Sequence, residues 1–416
     1  MCLHKGLPSW DAFLQYLFLK PVMQLFDAGC PRVVLCFDCY DHVPVYKSMT
    51  QTKRVKTAAS KKREVCVFNP EHGLPSRIPD DPMLFLMNRD FKIKLVEMIC
   101  ERMPALVQPK MTKAGQEFII DYKRVVVYSN KGIPRVMEEL RPMGESDVKF
   151  CRYVDLYGSA LVHAIDGDYL AIALLYYTKK SPVFGACNQI HIYRQLSTLP
   201  DTAAVAKTKK AKLSSSPSAP TAKKKVVKCW VDVQMLYVTI MQSMWQSVGH
   251  SQHLLNVHTG APFTNADAVH AAVLLMLLAG TDFSRSLPWL GPKRLWDNLP
   301  HIVVPLLQSA SGPDAADSLL LVVAKLYRLV FANHCVRLAR PSLEETLVVL
   351  QHSKLSDSVK SKFPSTEQVL TTVRNVMWVM AYWETHNDCI ETPLDGSNGF
   401  VQCSHPRQIM FADQLP

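Results

Sequence analysis

The sequence predicts an α/β fold with a mostly parallel central sheet, followed by a largely helical region. Three short runs in the first half are rich in β-branched and apolar residues, are bounded by turn-forming residues, and have the length of buried strands. These runs are Arg32 to Phe37, Arg124 to Tyr128 and Ala160 to Ile165. Amphipathic stretches lie between them, and strands that alternate with helices form parallel sheets. We therefore expect residues 1–200 to contain the sheet.

The second half of the chain has helical periodicity. Apolar residues recur at steps of three and four over Asp267 to Ala279, Ala315 to Phe331 and Thr366 to Trp383. These segments predict that residues 229–416 form a helical part.

The two parts are joined by a segment of biased composition, residues 201–228. It contains KTKKAKLSSSPSAPTAKKKVVK, in which two lysine clusters flank a Ser/Pro/Ala spacer that cannot build a core. The segment is expected to be an exposed, disordered insertion. The spacing of the clusters favours a bipartite nuclear-import signal, and a phosphate-binding loop or a solvated linker are the alternatives.

Composition narrows the class of partner. The 416-residue chain has a net charge of +11, which favours polyanions, with nucleic acid ahead of an anionic membrane surface. Its 12 cysteines lack the spacing of a disulfide framework. The single C-x-x-C at Cys36 and Cys39 has no second pair of Cys or His ligands with which to bind zinc. No stretch of 18 apolar residues and no signal peptide is present. We expect an intracellular protein that is neither secreted nor bound to a membrane.

Acidic residues follow two of the predicted strands, at the edge where α/β sheets bind ligands, and others begin a probable helix just before the third strand or close the helix that begins near Asp267. If six of them met in one cleft they would repel each other, and the sequence indicates no buried cations to match them. Two Mg²⁺ or Mn²⁺ ions about 4 Å apart would neutralise such a cleft and support phosphodiester hydrolysis. Taken singly, each acid could instead be a turn former or a helix cap. The six predicted metal ligands are Asp38, Glu145, Asp147, Asp166, Asp168 and Asp282.

Together these motifs resemble those of the metal-dependent 5′ nucleases of the flap endonuclease and XPG superfamily, and look most like the divergent versions of large DNA viruses. FDCYDHVP is similar to the Phe-Asp-Gly motif, GESDVKF to the Glu-x-Glu helix, and AIDGDYLAI to the Asp-x-Asp strand end. LLAGTDFSRSLPWLGPKR is similar to the segment with the last metal aspartate and the duplex-binding hairpin. The order of the motifs agrees throughout.

The resemblance implies a PIN-like domain completed by the helical part, with a helix-two-turn-helix near residues 280–300. It implies a structure-specific 5′ nuclease, either a flap endonuclease or a 5′ to 3′ exonuclease, that uses two metal ions on DNA with single-strand/double-strand junctions. In the hairpin, Gly291, Lys293 and Arg294 would bind the duplex through its phosphates. Such an enzyme would act in DNA replication, repair or recombination in the nucleus, or in the host nucleus if the chain is viral.

The resemblance also implies a basic arch at about residues 45–100, through which a single strand passes. Lys47 would contact DNA there, and a group of catalytic cations would orient the scissile phosphate. Without the family, the same stretch reads as a solvated basic helix. The predicted catalytic cations are Lys53, Arg54, Lys61, Lys62 and Arg63.

The chain departs from the family pattern at three points. Cys39 replaces the glycine of the Phe-Asp-Gly motif, and Trp289 stands where the hairpin has its first glycine. The family's earlier metal aspartate has no counterpart, because Asp11 and Asp27 lie too near Asp38. We therefore expect the N-terminus to be truncated relative to the family.

Two other functions fit parts of the pattern. PDDPMLFLM, GESDVKF and GTDFSRSLP distantly resemble motifs of 5′ to 3′ exoribonucleases, although the GPKR hairpin favours DNA. A catalytically inactive homologue that only binds branched DNA is the other alternative. The C-terminus has no sliding-clamp motif, and we expect a monomer.

Overall fold

The computed structural model divides the chain into two compact units. The first contains residues 1–149 and 388–416, and the second contains residues 150–387, so the predicted boundary near residue 200 lies inside the second unit. The residues described are 9–39, 69–76, 78, 88–140, 143–164, 166–180, 189–197, 226–249, 254–257, 259–281, 284, 286–311, 315–334, 342–384, 400–402 and 409–411.

The first unit contains a four-stranded sheet in the order β1-β2-β3-β4. Strands β1 and β2 are parallel, whereas β2 with β3 and β3 with β4 are antiparallel. Only three residues separate β2 from β3, and such a short connection makes the two strands antiparallel neighbours. The strands are β1 (Arg32–Cys36), β2 (Glu117–Asp121), β3 (Val125–Ser129) and β4 (Arg135–Val136).

Helices cover this sheet through an aromatic core. Phe13, Phe26, Phe91 and Phe118 are each at most 1% exposed and belong to one buried cluster. Ser9 caps the first helix and Asn88 caps α3 through side-chain hydrogen bonds. The helices are α1 (Trp10–Leu14), continued by a π-helical turn (Gln15–Leu19), then α2 (Lys20–Asp27) and α3 (Arg89–Val107), with short 3₁₀ turns at Pro70–His72 and Gln108–Lys110.

The second unit contains a three-stranded sheet in the order β5-β6-β7. Strand β5 is parallel to β6, and β6 is antiparallel to β7. The strands are β5 (Ser159–His163), β6 (Gln189–Ser197) and β7 (Val226–Asp232). Because β7 begins at Val226, the last three residues of the predicted insertion 201–228 belong to a strand; residues 198–225 lie outside the described residues.

The helices of the second unit pack around one central helix. The central helix, Asn265–Leu278, has nine buried residues among its 14. It contacts the helices Asp168–Lys180, Val233–Val248, Leu299–Ser311 and Thr366–Glu384, so it is apolar on all sides rather than amphipathic. Helix α4 crosses the division between the units after Lys149. The helices are α4 (Ser146–Tyr157), α5 (Asp168–Lys180), α6 (Val233–Val248), α7 (Asn265–Leu278), α8 (Pro292–Asp297), α9 (Leu299–Ser311), α10 (Ala315–Val330), α11 (Leu343–His352), α12 (Asp357–Lys360) and α13 (Thr366–Glu384).

The α/β class is confirmed, and the three predicted strands and three predicted helices appear within two residues of their expected bounds. The expected mostly parallel sheet is wrong, because each of these two sheets contains one parallel pair and is otherwise antiparallel. A further antiparallel pair, β8 (Phe400–Gln402) and β9 (Ile409–Phe411), lies near the C-terminus. No helix among the described residues is long and apolar enough to cross a lipid bilayer.

Candidate metal centre

Three of the six predicted acids form a compact group, here termed the three-aspartate cluster. One carboxylate oxygen from each of Asp147, Asp166 and Asp168 lies within 4.8 Å of the other two. Among the described residues this is the one group of three or more acidic, histidine or cysteine side chains with such spacing. Asp147 is 4% exposed and Asp168 is 5% exposed, whereas Asp166 is open to solvent.

Local structure explains how these side chains come together. Asp147 lies in the first turn of α4, which leads directly into β5, and Asp166 and Asp168 follow the end of β5. Asp168 is the first residue of α5, and its backbone N–H donates to Asp166 Oδ1 at 3.3 Å. Asp147 and Asp168 thus lie in helix first turns, where the helix dipole favours negative charge.

The cluster concentrates negative charge. Three carboxylates within 4.8 Å repel each other, and burial of two of them raises the energy of the ionised forms further. A divalent cation relieves this repulsion, and an all-carboxylate oxygen donor set suits hard Mg²⁺ or Mn²⁺ better than thiolate-preferring metals. The residues present therefore fit a hard divalent ion.

Asp38 lies one hydrogen-bonded step from the cluster. Its Oδ1 accepts hydrogen bonds from the Ser146 backbone N–H at 3.0 Å and from the Ser146 hydroxyl at 2.7 Å. The same hydroxyl oxygen lies 3.2 Å from Asp147 Oδ1. Because a serine hydroxyl has one hydrogen, it donates to only one of the two carboxylates at a time. Ser146 thereby joins the end of β1 to the first turn of α4.

The remaining predicted site residues are not part of the cluster. Glu145 is 1% exposed and directly precedes α4, but its oxygens are not in the three-aspartate cluster. The predicted sixth ligand and the predicted residues of the basic arch lie outside the described residues. These are Asp282, Lys47, Lys53, Arg54, Lys61, Lys62 and Arg63.

A buried ion pair that the sequence did not reveal fixes the first turn of α4. Lys149 Nζ lies 3.0 Å from Asp121 Oδ1, and both side chains are 0% exposed. The ammonium also donates to the carbonyl oxygens of Phe37 at 2.7 Å and of Asp121 at 3.2 Å. One lysine therefore binds the carboxyl ends of both β1 and β2. Phe37 directly precedes Asp38, so this tether also fixes the backbone next to Asp38.

The structure contains buried cations that the sequence did not indicate, although Lys149 pairs with Asp121, which is not one of the six predicted acids. Lys149 is fully buried, and Arg152, one turn further along α4, is 6% exposed with its guanidinium over the Tyr153 ring. A third cation, Arg194, places a guanidinium nitrogen 3.9 Å from the position of a Cβ on Gly167, between the two aspartates of the loop. Asp121 follows the run EFII as Asp38 follows RVVLCF, so the strand-end signal used for Asp38 would have found it.

The segment predicted to be a hairpin is compact. Gly280 has φ +95°, and a Cβ there would lie 2.6 Å from Ser286 Cβ and 2.8 Å from its backbone nitrogen, so only glycine fits. The Ser284 hydroxyl donates to the carbonyl of Leu277, which ties this turn to the end of α7. Trp289 adopts φ +69°, a left-handed conformation that glycine adopts more readily than tryptophan.

The predicted phosphate-binding residues lie at the start of α8. Gly291 is its N-cap and Lys293 and Arg294 lie in its first turn. Lys293 Nζ pairs with Asp297 at 3.0 Å, and Arg294 donates to the Trp289 carbonyl at 3.1 Å. The Lys293 side chain is 83% exposed, so its pair with Asp297 is a weak surface interaction.

Comparison with known proteins adds no family. Neither a scan against protein-family models nor a search of curated proteins finds a match for this chain. The expected resemblance to 5′ nucleases therefore rests on the sequence motifs alone.

Proposed function

We propose that this protein is a metal-dependent nuclease that hydrolyses phosphodiester bonds. The observation that carries the proposal is the three-aspartate cluster, whose carboxylates share a space 4.8 Å across and come from the GESDVKF and AIDGDYLAI motifs. Carboxylates are concentrated in this way where divalent ions organise phosphoryl chemistry.

Each acid has a distinct part in this proposal. Asp147, Asp166 and Asp168 hold Mg²⁺ or Mn²⁺, while Asp38 and Glu145 complete the surrounding shell and orient water. When bound, two such ions supply Lewis-acid activation of the attacking water and neutralise charge on the scissile phosphate. Ser146 keeps Asp38 and Asp147 in register, and Lys149 fixes the strand ends beneath them. No side chain of the cluster is required to act as the general base.

We assign DNA with a junction between single and double strands as the substrate. The net charge of +11 favours a polyanion, and Lys293 with Arg294 extends from a compact turn where a duplex backbone could bind. The resemblance to 5′ nucleases supports a flap endonuclease or 5′ to 3′ exonuclease. The lysine clusters of residues 207–228 support action in the nucleus.

A cleavage assay tests the proposal. The purified chain should cut a 5′-flapped DNA in Mg²⁺ and not in EDTA, and Asp168→Ala should lower the rate by at least about a thousandfold because a metal ligand is lost. Duplex binding by the variant should remain nearly unchanged, because removing an acid does not weaken phosphate attraction.

The control for this assay is Asp155→Asn. Asp155 lies on α4 outside the cluster, where it pairs with Lys180 and Tyr176, and its loss should leave the cleavage rate within about threefold. A parallel assay on 5′-monophosphate RNA distinguishes the proposed DNA nuclease from the exoribonuclease alternative, which would cleave the RNA in preference to the flapped DNA. Normal cleavage by Asp168→Ala would show that the cluster is not the catalytic centre.

A second candidate is an inactive nuclease homologue that binds branched DNA. It is favoured by one observation: Asp38 is occupied by two hydrogen bonds from Ser146 and, with Glu145, lies outside the cluster. In that case the chain would bind flapped DNA with no cleavage in Mg²⁺ or Mn²⁺. Isothermal titration of Mg²⁺ into wild type and Asp168→Ala would then show whether the cluster binds metal at all.

A further inference from the structure

The outer face of the β5-β6-β7 sheet carries a row of aromatic rings. Strand register places His163, Tyr193 and Trp230 opposite one another on the three adjacent strands. The rings of His163 and Tyr193 stack at 4.5 Å with 19° between their planes, and Tyr193 meets Trp230 edge-on at 5.4 Å. We term this set the aromatic row.

The two faces of this sheet differ in burial. Ile190 and Ile192 are at most 2% exposed, and helices α5 and α6 pack against β6. On the other face Trp230 is 48% exposed and Leu161 is 56% exposed. Large apolar side chains grouped on an open surface mark an interaction site more often than isolated ones do.

The open face carries charges of both signs, because Asp232 lies two residues from Trp230 on β7 and pairs with His191 at 3.6 Å. Lys228 is exposed and lies two residues from Trp230 on β7, so its side chain shares the open face. The connection from β6 to β7 has one acid, Asp201, and seven lysines by sequence: Lys207, Lys209, Lys210, Lys212, Lys223, Lys224 and Lys225. Aromatic rings beside cations match a partner that alternates flat bases with phosphates, and they do not match an apolar protein surface.

The row also lies beside the candidate metal centre. His163 is the last residue of β5, and Asp166 follows three residues later. Burial lowers the pKa of His163 and so favours the neutral form of the ring, which stacks without adding charge. A strand of nucleic acid lying on the row would therefore be close to the three-aspartate cluster.

We propose that the aromatic row binds the unpaired bases of a single-stranded nucleic acid whose phosphate chain continues to the three-aspartate cluster. The stacking part stands on the geometry of the row, and the approach to the cluster rests on the proposed nuclease function. Stacking recognises any base, so the row gives a preference for single strands without a sequence preference.

Binding in EDTA tests the row without any cleavage. Fluorescence anisotropy with a labelled 20-nucleotide oligo-dT should show that Trp230→Ala weakens binding about tenfold, in line with the loss of one stacked base. Trp230→Phe should recover most of that loss, and a blunt duplex should bind both variants within about twofold of wild type. Comparing the affinities for oligo-dT and oligo-rU of equal length shows whether the row prefers DNA or RNA.

The matched control is Tyr16→Ala, which removes an aromatic side chain of 57% exposure from the first unit and should change oligo-dT affinity by less than about twofold. An abasic oligonucleotide of equal charge should not distinguish Trp230→Ala from wild type. Circular dichroism on each variant confirms that the sheet is intact.

Three results would overturn the inference: unchanged oligo-dT affinity in Trp230→Ala, an equal loss on the abasic strand, or a sedimentation shift showing that the row joins two copies of this chain. The proposed nuclease function can fail separately. If the chain binds oligo-dT through Trp230 but does not cleave DNA, base stacking on the row is supported and the nuclease function is contradicted. If the chain cleaves DNA while Trp230→Ala binds oligo-dT normally, the nuclease function is supported and base stacking is contradicted.

Discussion

Acids at the ends of strands have different neighbours at the two sheets. In the first unit Asp121, at the end of β2, is paired with Lys149, and Asp38, after β1, accepts two hydrogen bonds from Ser146. At the sheet β5-β6-β7, Asp166 and Asp168, after β5, lie within 4.8 Å of a further carboxylate, Asp147. The first arrangement balances a negative charge, and the second accumulates it.

The difference shows that position at a strand end does not by itself mark a metal ligand. Asp121 and Asp168 both follow a strand and both are buried, at 0% and 5% exposure. They differ in these neighbours: Asp121 lies beside the Lys149 ammonium, whereas Asp168 lies within 4.8 Å of two other carboxylates, where a divalent cation would relieve repulsion.

The largest expected effect follows from breaking the buried pair. Lys149→Met should lower the free energy of unfolding by about 3–5 kcal/mol, because it leaves the Asp121 carboxylate buried without its ammonium. Urea unfolding followed by circular dichroism measures the loss. The double variant Lys149→Met with Asp121→Leu should recover most of it, since no buried charge remains. If the double variant were as unstable as the single one, the pair would not be the cause.

The same single-charge change should have opposite signs in the two settings. In EDTA, Asp121→Asn should destabilise the protein, whereas Asp168→Asn should stabilise it by about 1 kcal/mol by relieving like-charge repulsion. Adding Mg²⁺ at about 100 times its dissociation constant should stabilise wild type by about 2.7 kcal/mol and leave Asp168→Asn unchanged. Thermal unfolding with and without Mg²⁺ provides both numbers. Destabilisation by both substitutions in EDTA would remove the distinction between the sites.

The smallest effect on stability is expected at the exposed counterpart of the buried pair. Lys293 and Asp297 are 83% and 57% exposed, so Lys293→Ala with Arg294→Ala should change the free energy of unfolding by less than about 0.5 kcal/mol. The same change should lower the slope of log affinity for duplex DNA against log salt by about two contacts. Lys110→Ala with Lys113→Ala is the control, and an unchanged slope in the Lys293 and Arg294 variant would exclude those residues from DNA binding.

Much of the secondary structure could be predicted because it depends on neighbouring residues. The runs RVVLCF and ALVHAI form β1 and β5, and the periodicity after Thr366 gives a helix that starts there. Strand β2, EFIID, was not predicted, because strands that alternate with helices were expected. Strand β2 is instead followed after three residues by its antiparallel neighbour β3. The direction of a strand in a sheet is set by such partners, which explains why a mostly parallel sheet was expected.

The candidate site was predictable in its residue types and only partly in its grouping. Asp147, Asp166 and Asp168 were predicted from their positions next to strand and helix ends, and the structure brings them together, while Asp38 and Glu145 lie outside the group. Lys149 lies within the GESDVKF motif used to find the acids, yet nothing in a linear sequence distinguishes a solvated lysine from one that is 0% exposed.

By itself, the sequence determined three strands and three helices, the positive charge and which carboxylates were available, since these depend on composition and local periodicity. The tertiary structure alone decided which carboxylate meets a cation and which meets another carboxylate. That choice depends on contacts between residues such as Asp121 and Lys149, which lie 28 positions apart in the sequence. Because these residues are removed from water, the interaction between their charges is strong enough to decide their role.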